Sequence, residues 1–333
     1  MRVLATIGFS FSAGVFLAAL LPWNGWQLYA AGGILLLALA WLFAARKQKY
    51  FRRGLLILLP LAVSLAYFAG YDHLVRQPIE DRCGAASDFA ATVCDWPQAT
   101  ERGARVTVEL EGYHRARAVL YGEAELLAAR PGDTVTGTAQ WQSAAHFDSD
   151  DVTHFNARGV YALLYGREDV RLSAGDGDAL RWLPQRAGKA FREKVAAIWD
   201  DPRVSGFLTA ELTGDKSAMD DGDYLAMQET GLAHLFAVSG LHCAFLVTLL
   251  ALLISRRQRL LCAVTIPLLL FYMVMVGMSP SVVRACIMQI FLLIAPLFRR
   301  GSDPLTSLAA ALLVILLCNP FAAASVSLQL SFS

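Results

Sequence analysis

Seven apolar stretches, each near the length a helix needs to cross a bilayer, are set between short polar connections and one long polar interval. They fall near residues 3–21, 25–44, 54–71, 232–254, 260–278, 281–298 and 304–318, and an eighth begins at Phe321. A helix crosses the hydrocarbon layer with about 20 apolar residues, so the pattern predicts a polytopic α-helical membrane protein. Residues 72–231 break it. In 105–110, Val106, Val108 and Leu110 share one face while Thr107 and Glu109 share the other, the period of a half-buried strand. Residues 116–121, 134–138, 161–165 and 170–172 read the same way, separated by Gly112, Pro131-Gly132-Asp133 and Gly166. About five short strands predict a small OB-like β-barrel.

From 180 to 200 the period turns helical. Trp182, Leu183, Phe191, Val195, Ala196 and Trp199 form an apolar stripe opposite Arg186, Lys189, Arg192, Glu193 and Lys194. Such a helix suits either a membrane surface or packing on the rest of the protein. The expected organisation is three helices in 1–71, the β domain in 72–180, an amphipathic helix and connector in 181–231, and a multi-span core in 232–333. That core stops inside its eighth span.

Cations set the expected orientation. Arg46, Lys47, Lys49, Arg52 and Arg53 fall on the same side as Arg256, Arg257 and Arg259, and as Arg299 and Arg300. The positive-inside rule makes that side, and the N-terminus, cytoplasmic, with the β domain outside. The first apolar stretch carries one preceding arginine, Arg2, and is followed by a second after only Pro22-Trp23-Asn24-Gly25, which reads as an anchored span rather than a cleaved leader. With 56% hydrophobic and 17% charged residues, the composition excludes an ordinary soluble domain.

Ionisable groups inside such spans cost roughly 2.5–3.5 kcal/mol each on insertion scales, so they mark a pathway or a site by default. Here they are His234, His242 and Arg284, with Ser239, Gly240, Pro280 and Ser281 around them. His234 and His242 lie about 80° apart on an ideal helix. They either line a polar path or bond neighbouring helices. Pro280 should break its span near the surface, which leaves the Arg284 guanidinium to bind phosphate oxygens, to snorkel, or to pair with Asp215, Asp220, Asp221 or Asp223 of the connector.

The β domain is acidic. From Asp72 to Leu180 there are ten arginines, no lysine and eighteen acids, a net charge of −8. Such a surface repels phosphate unless arginines such as Arg102, Arg105, Arg115 and Arg117 gather on one face; otherwise the domain is a scaffold or a lid. Cys83 and Cys94 fall in this external region, where they either pair or stay free; the other four cysteines lie in apolar spans and read as packing residues. The stretch 146–154, with two histidines and three aspartates, has no compact ligand spacing and reads as a loop, so neither a metal nor a cofactor is expected.

Residues 212–217, the segment 230–242 with His234, Ser239-Gly240 and His242, and 280–285 with Arg284 together resemble the core of the ComEC competence proteins. Residues 305–310, Asn319-Pro320 and 327–332 are similar to the next family segment, and the order of spans and β domain is similar too. The resemblance implies an inner-membrane channel component importing single-stranded DNA during natural transformation, with an OB-like external domain and a Cys83–Cys94 disulfide. It also implies a DNA receptor outside and a helicase-like motor in the cytoplasm, and leaves a homo-oligomer open. Many members carry a metallo-β-lactamase-like domain, thought to be the nuclease. No H-x-H-x-D-H motif occurs here and the chain stops inside an apparent eighth span, so it is expected to be a fragment, a frame-shifted product or the product of a truncated gene, and not itself an enzyme. Two other readings compete. A small-solute transporter would show inverted repeats, which are not evident. An intramembrane hydrolase built on His234, Ser239 and His242 lacks a group to orient the base.

Overall fold

The computed structural model describes residues 3–21, 26–44, 51–101, 103–113, 116–145, 154–167, 169–177, 179–213, 219–230, 240–254, 257–299, 301 and 303–332. The chain is a helical membrane protein with a small closed β-barrel. It divides into two compact units, Met1–Ala179 with Leu312–Ser333, and Leu180–Ala311. Among the described residues four helices are long and apolar enough to cross a membrane: Val3–Leu20, Gly54–Glu80, Gln258–Met275 and Pro280–Phe298. Tyr29–Ala38, His242–Ile254 and Pro304–Cys318 are shorter apolar helices.

In the first unit, α1 (Val3–Leu20) and α2 (Trp26–Ala44) both pack on α3 (Phe51–Tyr71). Small residues set the approach of α1. A Cβ at Gly14 would collide with the Ser64 hydroxyl and the Leu61 carbonyl, so only glycine lets the backbones come this close. The helix does not stop at Tyr71. It widens into a π-turn, Asp72–Arg76, and continues as α4, Gln77–Glu80, which delivers the chain to the barrel.

The barrel consists of β1 (Ala86–Val93), β2 (Gln98–Thr100), β3 (Gly103–Leu110), β4 (Arg117–Gly122), β5 (Thr134–Ser143), β6 (Val160–Gly166) and β7 (Arg171–Ser173). Five strands close it in the order β1-β3-β4-β6-β5-β1, while β2 extends β3 and β7 extends β5. All pairings are antiparallel except β4 with β6. This is the OB-like arrangement. Phe89, Val93, Val106, Val108, Leu120, Val135, Trp141 and Leu164 fill its interior. Gly137, at φ 156°, lies mid-way along β5, where a Cβ would meet the Val170 backbone. Its absence lets β5 curl from β1 across to β6.

The alternation missed the short β2 and, more consequentially, β1. Its Ala86, Ser87, Ala90 and Ala91 have little intrinsic strand preference, and the pairing with β3 and β5 imposes the conformation. β1 also overturns the disulfide expectation. Cys83 precedes it and Cys94 follows it, so eight extended residues hold them roughly 23 Å apart, far beyond the about 6.8 Å a disulfide tolerates between Cα atoms. Neither cysteine is in a disulfide. Cys83 donates to the Ile79 carbonyl at 3.4 Å and Cys94 to the Thr92 carbonyl at 3.6 Å.

The expected eighth span takes another form. After α12 (Pro304–Cys318), Asn319 accepts the Phe321 amide at 3.0 Å and turns the chain into a 3-10 segment, Pro320–Ala324, ahead of the short α13 (Val326–Phe332). Phe321 is buried among Phe68 (5.1 Å), Tyr161 (6.0 Å) and Tyr71 (6.1 Å), with the Arg76 guanidinium over its ring at 5.2 Å. Asn319 Nδ2 donates to the carbonyls of Asn156 and Ala157 at 2.9 and 3.0 Å. The Tyr67 hydroxyl donates to the Leu317 carbonyl at 2.7 Å. Burial first, and then the Tyr71 phenol, push the Tyr161 hydroxyl above the ordinary phenol range, so it stays a donor. Beneath this cage Arg76 pairs with buried Asp72 at 2.6 Å and with Glu80 at 3.6 Å, and Gln77 donates to Asp72 at 3.3 Å.

In the second unit, α6 (Leu183–Ile198) is the amphipathic helix. It packs on α7 (Pro202–Thr213) and on α10 (Gln258–Met275), where Gly188 lies against the Met275 carbonyl. Protein packing thus takes up part of its apolar stripe. α8 (Asp221–Glu229) follows, then α9 (Gly240–Ile254), α10 and α11 (Pro280–Ile294), which pack together around Cys243, Leu261, Leu269, Val282, Cys286 and Leu293. The connector residues 214–218 and 231–239 lie outside the described residues.

Two outcomes test this arrangement. Arg76→Met alone and Asp72→Leu alone should each destabilise the detergent-solubilised protein by about 3–5 kcal/mol, because each strands a buried charge, and the double variant should recover much of the loss. Thermal unfolding of the three variants reads it; strictly additive losses would show that the two groups do not act as a pair. Separately, Cys83 and Cys94 should both alkylate in unfolded protein never exposed to reductant, and a crosslinked Cys83–Cys94 peptide would overturn the strand between them. In folded protein the Cys83 thiol, pushed up to about 11 by burial and next by Glu80, should alkylate slowly at neutral pH.

Candidate functional site

Two constellations carry the polar chemistry, one in each unit. The first is on the outer wall of the barrel. Along β3 the side chains of Ala104, Val106, Val108 and Leu110 are buried, which leaves Arg105, Thr107 and Glu109 on the outside. On β4 the same parity buries Ala118 and Leu120 and turns out Arg117, Val119 and Tyr121. Register then aligns three of these residues across three strands: Arg105 is the partner of Tyr121, and Tyr121 the partner of Tyr165 on β6. The two phenol rings stack at 5.2 Å with their planes 14° apart. Arg105 lies in the same row, its Nε and Nη2 both donating to Gln98 Oε1 at 3.0 and 2.7 Å. Burial and the neighbouring Tyr121 raise the Tyr165 phenol, which keeps that ring neutral.

A stacked aromatic pair beside a held, planar guanidinium suits flat, partly charged ligands. Nucleobases stack on such rings regardless of sequence, at about 1–3 kcal/mol per base. The surrounding acids make this wall a poor phosphate trap. Arg117 lies opposite Glu109 in the register, so the nearest additional cation faces a carboxylate. Arg102 and Arg115 lie outside the described residues. Of the arginines expected to gather, Arg105 and Arg117 therefore share the outer wall. Tyr121 and Tyr165 were not singled out from the sequence. Each sits in a short apolar run where tyrosine reads as core, and only the parallel β4–β6 pairing puts the rings together.

The second constellation is in the helical core. Just past α10 come two consecutive left-handed residues, Gly277 at φ 84° and Met278 at φ 56°. They reverse the chain sharply, and Pro280 then opens α11, where its fixed φ suits the first helical turn. The Cys243 and Cys286 sulfurs touch at 3.4 Å, so the first turn of α9 and the second turn of α11 lie side by side. That contact brings His242, next to Cys243, and Arg284, two residues before Cys286, to the same end of the three-helix group. Both are half-buried. Ser281 is one turn before Arg284 on the same face of α11. Gly240 is the first residue of α9, whereas His234 and Ser239 lie outside the described residues. The segment from 230 to 302 contains no Asp or Glu, so any carboxylate meeting Arg284 must come from outside it.

The competence protein family model matches residues 212–333 of this chain. ComE operon protein 3 of Bacillus subtilis (strain 168) is 33% identical over 135 residues, which is 40% of this chain and 17% of the relative. The match thus spans less than a fifth of that relative's length. No solved structure matches. The matched region holds every core residue named above, from His234 through Arg284 to the Asn319-Pro320 corner. Over residues 212–333 the chain is thus similar to competence proteins.

Proposed function

We propose that this chain takes part in DNA uptake as a component of an inner-membrane path that admits single-stranded DNA, with its N-terminus in the cytoplasm and its barrel outside. The observation that carries the reading is the Arg105–Tyr121–Tyr165 row, a base-stacking surface in a chain that is also similar to competence proteins over residues 212–333. An acidic barrel repels the phosphates of a duplex whose bases are hidden, and gains from an unpaired strand whose bases are free to stack. The barrel would hold a single strand weakly and present it onward.

In the core, a strand crossing the bilayer needs its phosphates solvated or compensated along the way. His234, Ser239, His242, Ser281 and Arg284 are sparse enough that contacts are weak and repeated, and Arg284 is the one cation there able to bind a phosphate in two-pronged fashion. Gly240 and Pro280 shape the helix starts that hold these groups. In this reading the chain conducts and does not cleave, an external receptor supplies the DNA, and a cytoplasmic motor supplies the energy.

Full-length chain in detergent should bind fluorescent oligothymidylate in preference to duplex. The double variant Tyr121→Ala, Tyr165→Ala should weaken that binding by about tenfold or more, from the loss of about 1–3 kcal/mol per stacked base. Anisotropy titrations read both, and unchanged affinity would remove the barrel from the path. In a competent host, Arg284→Ala should leave the protein at normal membrane levels yet stop labelled DNA from reaching the cytoplasm, while Arg284→Lys restores part of the entry. Full entry with Arg284→Ala would remove Arg284 from the path.

A further inference from the structure

The ends of α10 and α11 away from the Cys243–Cys286 contact enclose a groove of about 600 Å³. Arg257, Arg259 and Arg299 line it together with Gln258, Leu260 and Leu297. Its floor is fixed, because Gln258 Nε2 donates to the Leu293 carbonyl at 2.8 Å and so ties the start of α10 to the last turn of α11. Its rim is fixed as well. α11 runs into a 3-10 turn, Ala295–Phe298, and Arg299 closes it in the left-handed conformation at φ 54°, its amide donating to the Pro296 carbonyl at 3.0 Å.

The charge of this groove is unbalanced. No carboxylate lines it, and none occurs in the sequence between Glu229 and Asp303. Three guanidiniums share one concavity, and among the described residues none of them forms an ion pair. Its apolar part is equally distinct: Leu260 is 46% exposed and Leu297 41%. The two helices that meet here are both long and apolar enough to cross a membrane. Their shared end therefore falls where hydrocarbon gives way to headgroups, with leucines on one side of that boundary and arginines on the other.

We propose that this groove is a binding site for an anionic phospholipid, with the headgroup phosphate among Arg257, Arg259 and Arg299 and an acyl chain along Leu260 and Leu297. Guanidinium forks match phosphate oxygens in pairs, and three of them suit a headgroup with two phosphates better than one. Basic pockets between membrane helices take such headgroups, and each basic residue contributes about a fivefold gain in affinity. A nucleic-acid phosphate shares the charge but has no use for the exposed leucines.

The test uses the full chain in uncharged detergent, with added cardiolipin, phosphatidylglycerol or phosphatidylcholine, read by thermal unfolding and by native mass spectrometry of retained lipid. Cardiolipin should bind most tightly and raise the unfolding temperature, phosphatidylglycerol less, and phosphatidylcholine not at all. Each of Arg257→Gln, Arg259→Gln and Arg299→Gln should weaken cardiolipin binding about fivefold while unfolding normally in phosphatidylcholine. The single variants keep the test decisive if the triple variant does not fold. Equal stabilisation by phosphatidylcholine, or cardiolipin binding unchanged in all three variants, would overturn the proposal. Displacement of cardiolipin by oligothymidylate or by inorganic phosphate at matched phosphate concentration would overturn it too, assigning the groove to a strand or to a free anion.

Discussion

A β-barrel wants water over its outer wall and an apolar helix wants lipid, and in this chain the Asp72–Arg76 pair stands at the join between them. A buried ion pair is weak evidence of stability, since desolvation offsets most of the attraction. Its value here is positional. The π-turn from Asp72 to Arg76 rotates the helix so that Arg76 lies under Phe321, and the aromatic cage, the Asn319 hydrogen bonds and the Tyr161 hydroxyl all take their places around that point. An apolar residue at Arg76 could fill the space, but it would not fix which way the helix enters the barrel.

Periodicity carried much of the architecture. Long apolar runs gave the helices, and in β3 the alternation of Val106, Val108 and Leu110 with Thr107 and Glu109 gave both the strand and its buried face. What escaped was whatever depends on pairing between distant segments. β1 is too rich in alanine to announce itself. Cys83 and Cys94 look close in sequence, yet an extended strand makes short separations long in space. Phe321 read as the start of a span because a phenylalanine after Asn-Pro has the same composition in a cage as in a bilayer.

The candidate sites were legible in the same uneven way. His242, Ser281 and Arg284 stood out because polar groups in apolar spans are costly, and the Cys243–Cys286 contact brings His242 and Arg284 to one end of the core. Tyr121 and Tyr165 carried no such signal. Forty-four positions separate them in the chain, and only a parallel pairing, the one exception in an otherwise antiparallel barrel, stacks their rings. The acidity of the barrel, which argues against nucleic acid, suits the proposed reading only if contact runs through bases rather than through phosphates.

The cage around Phe321 also sets an order of assembly. Tyr67 and the Leu317 carbonyl it binds are 250 residues apart. At about 5–20 residues per second of synthesis, that separation corresponds to roughly 12–50 s between the two emerging from the ribosome. In the later part of that interval, once β7 has been made, the barrel and the first three helices can form, while Arg76 and the rings of Phe68, Tyr71 and Tyr161 still await Phe321. The nascent chain therefore carries a temporary apolar opening at the membrane surface, which closes only when the Asn319-Pro320-Phe321 corner arrives.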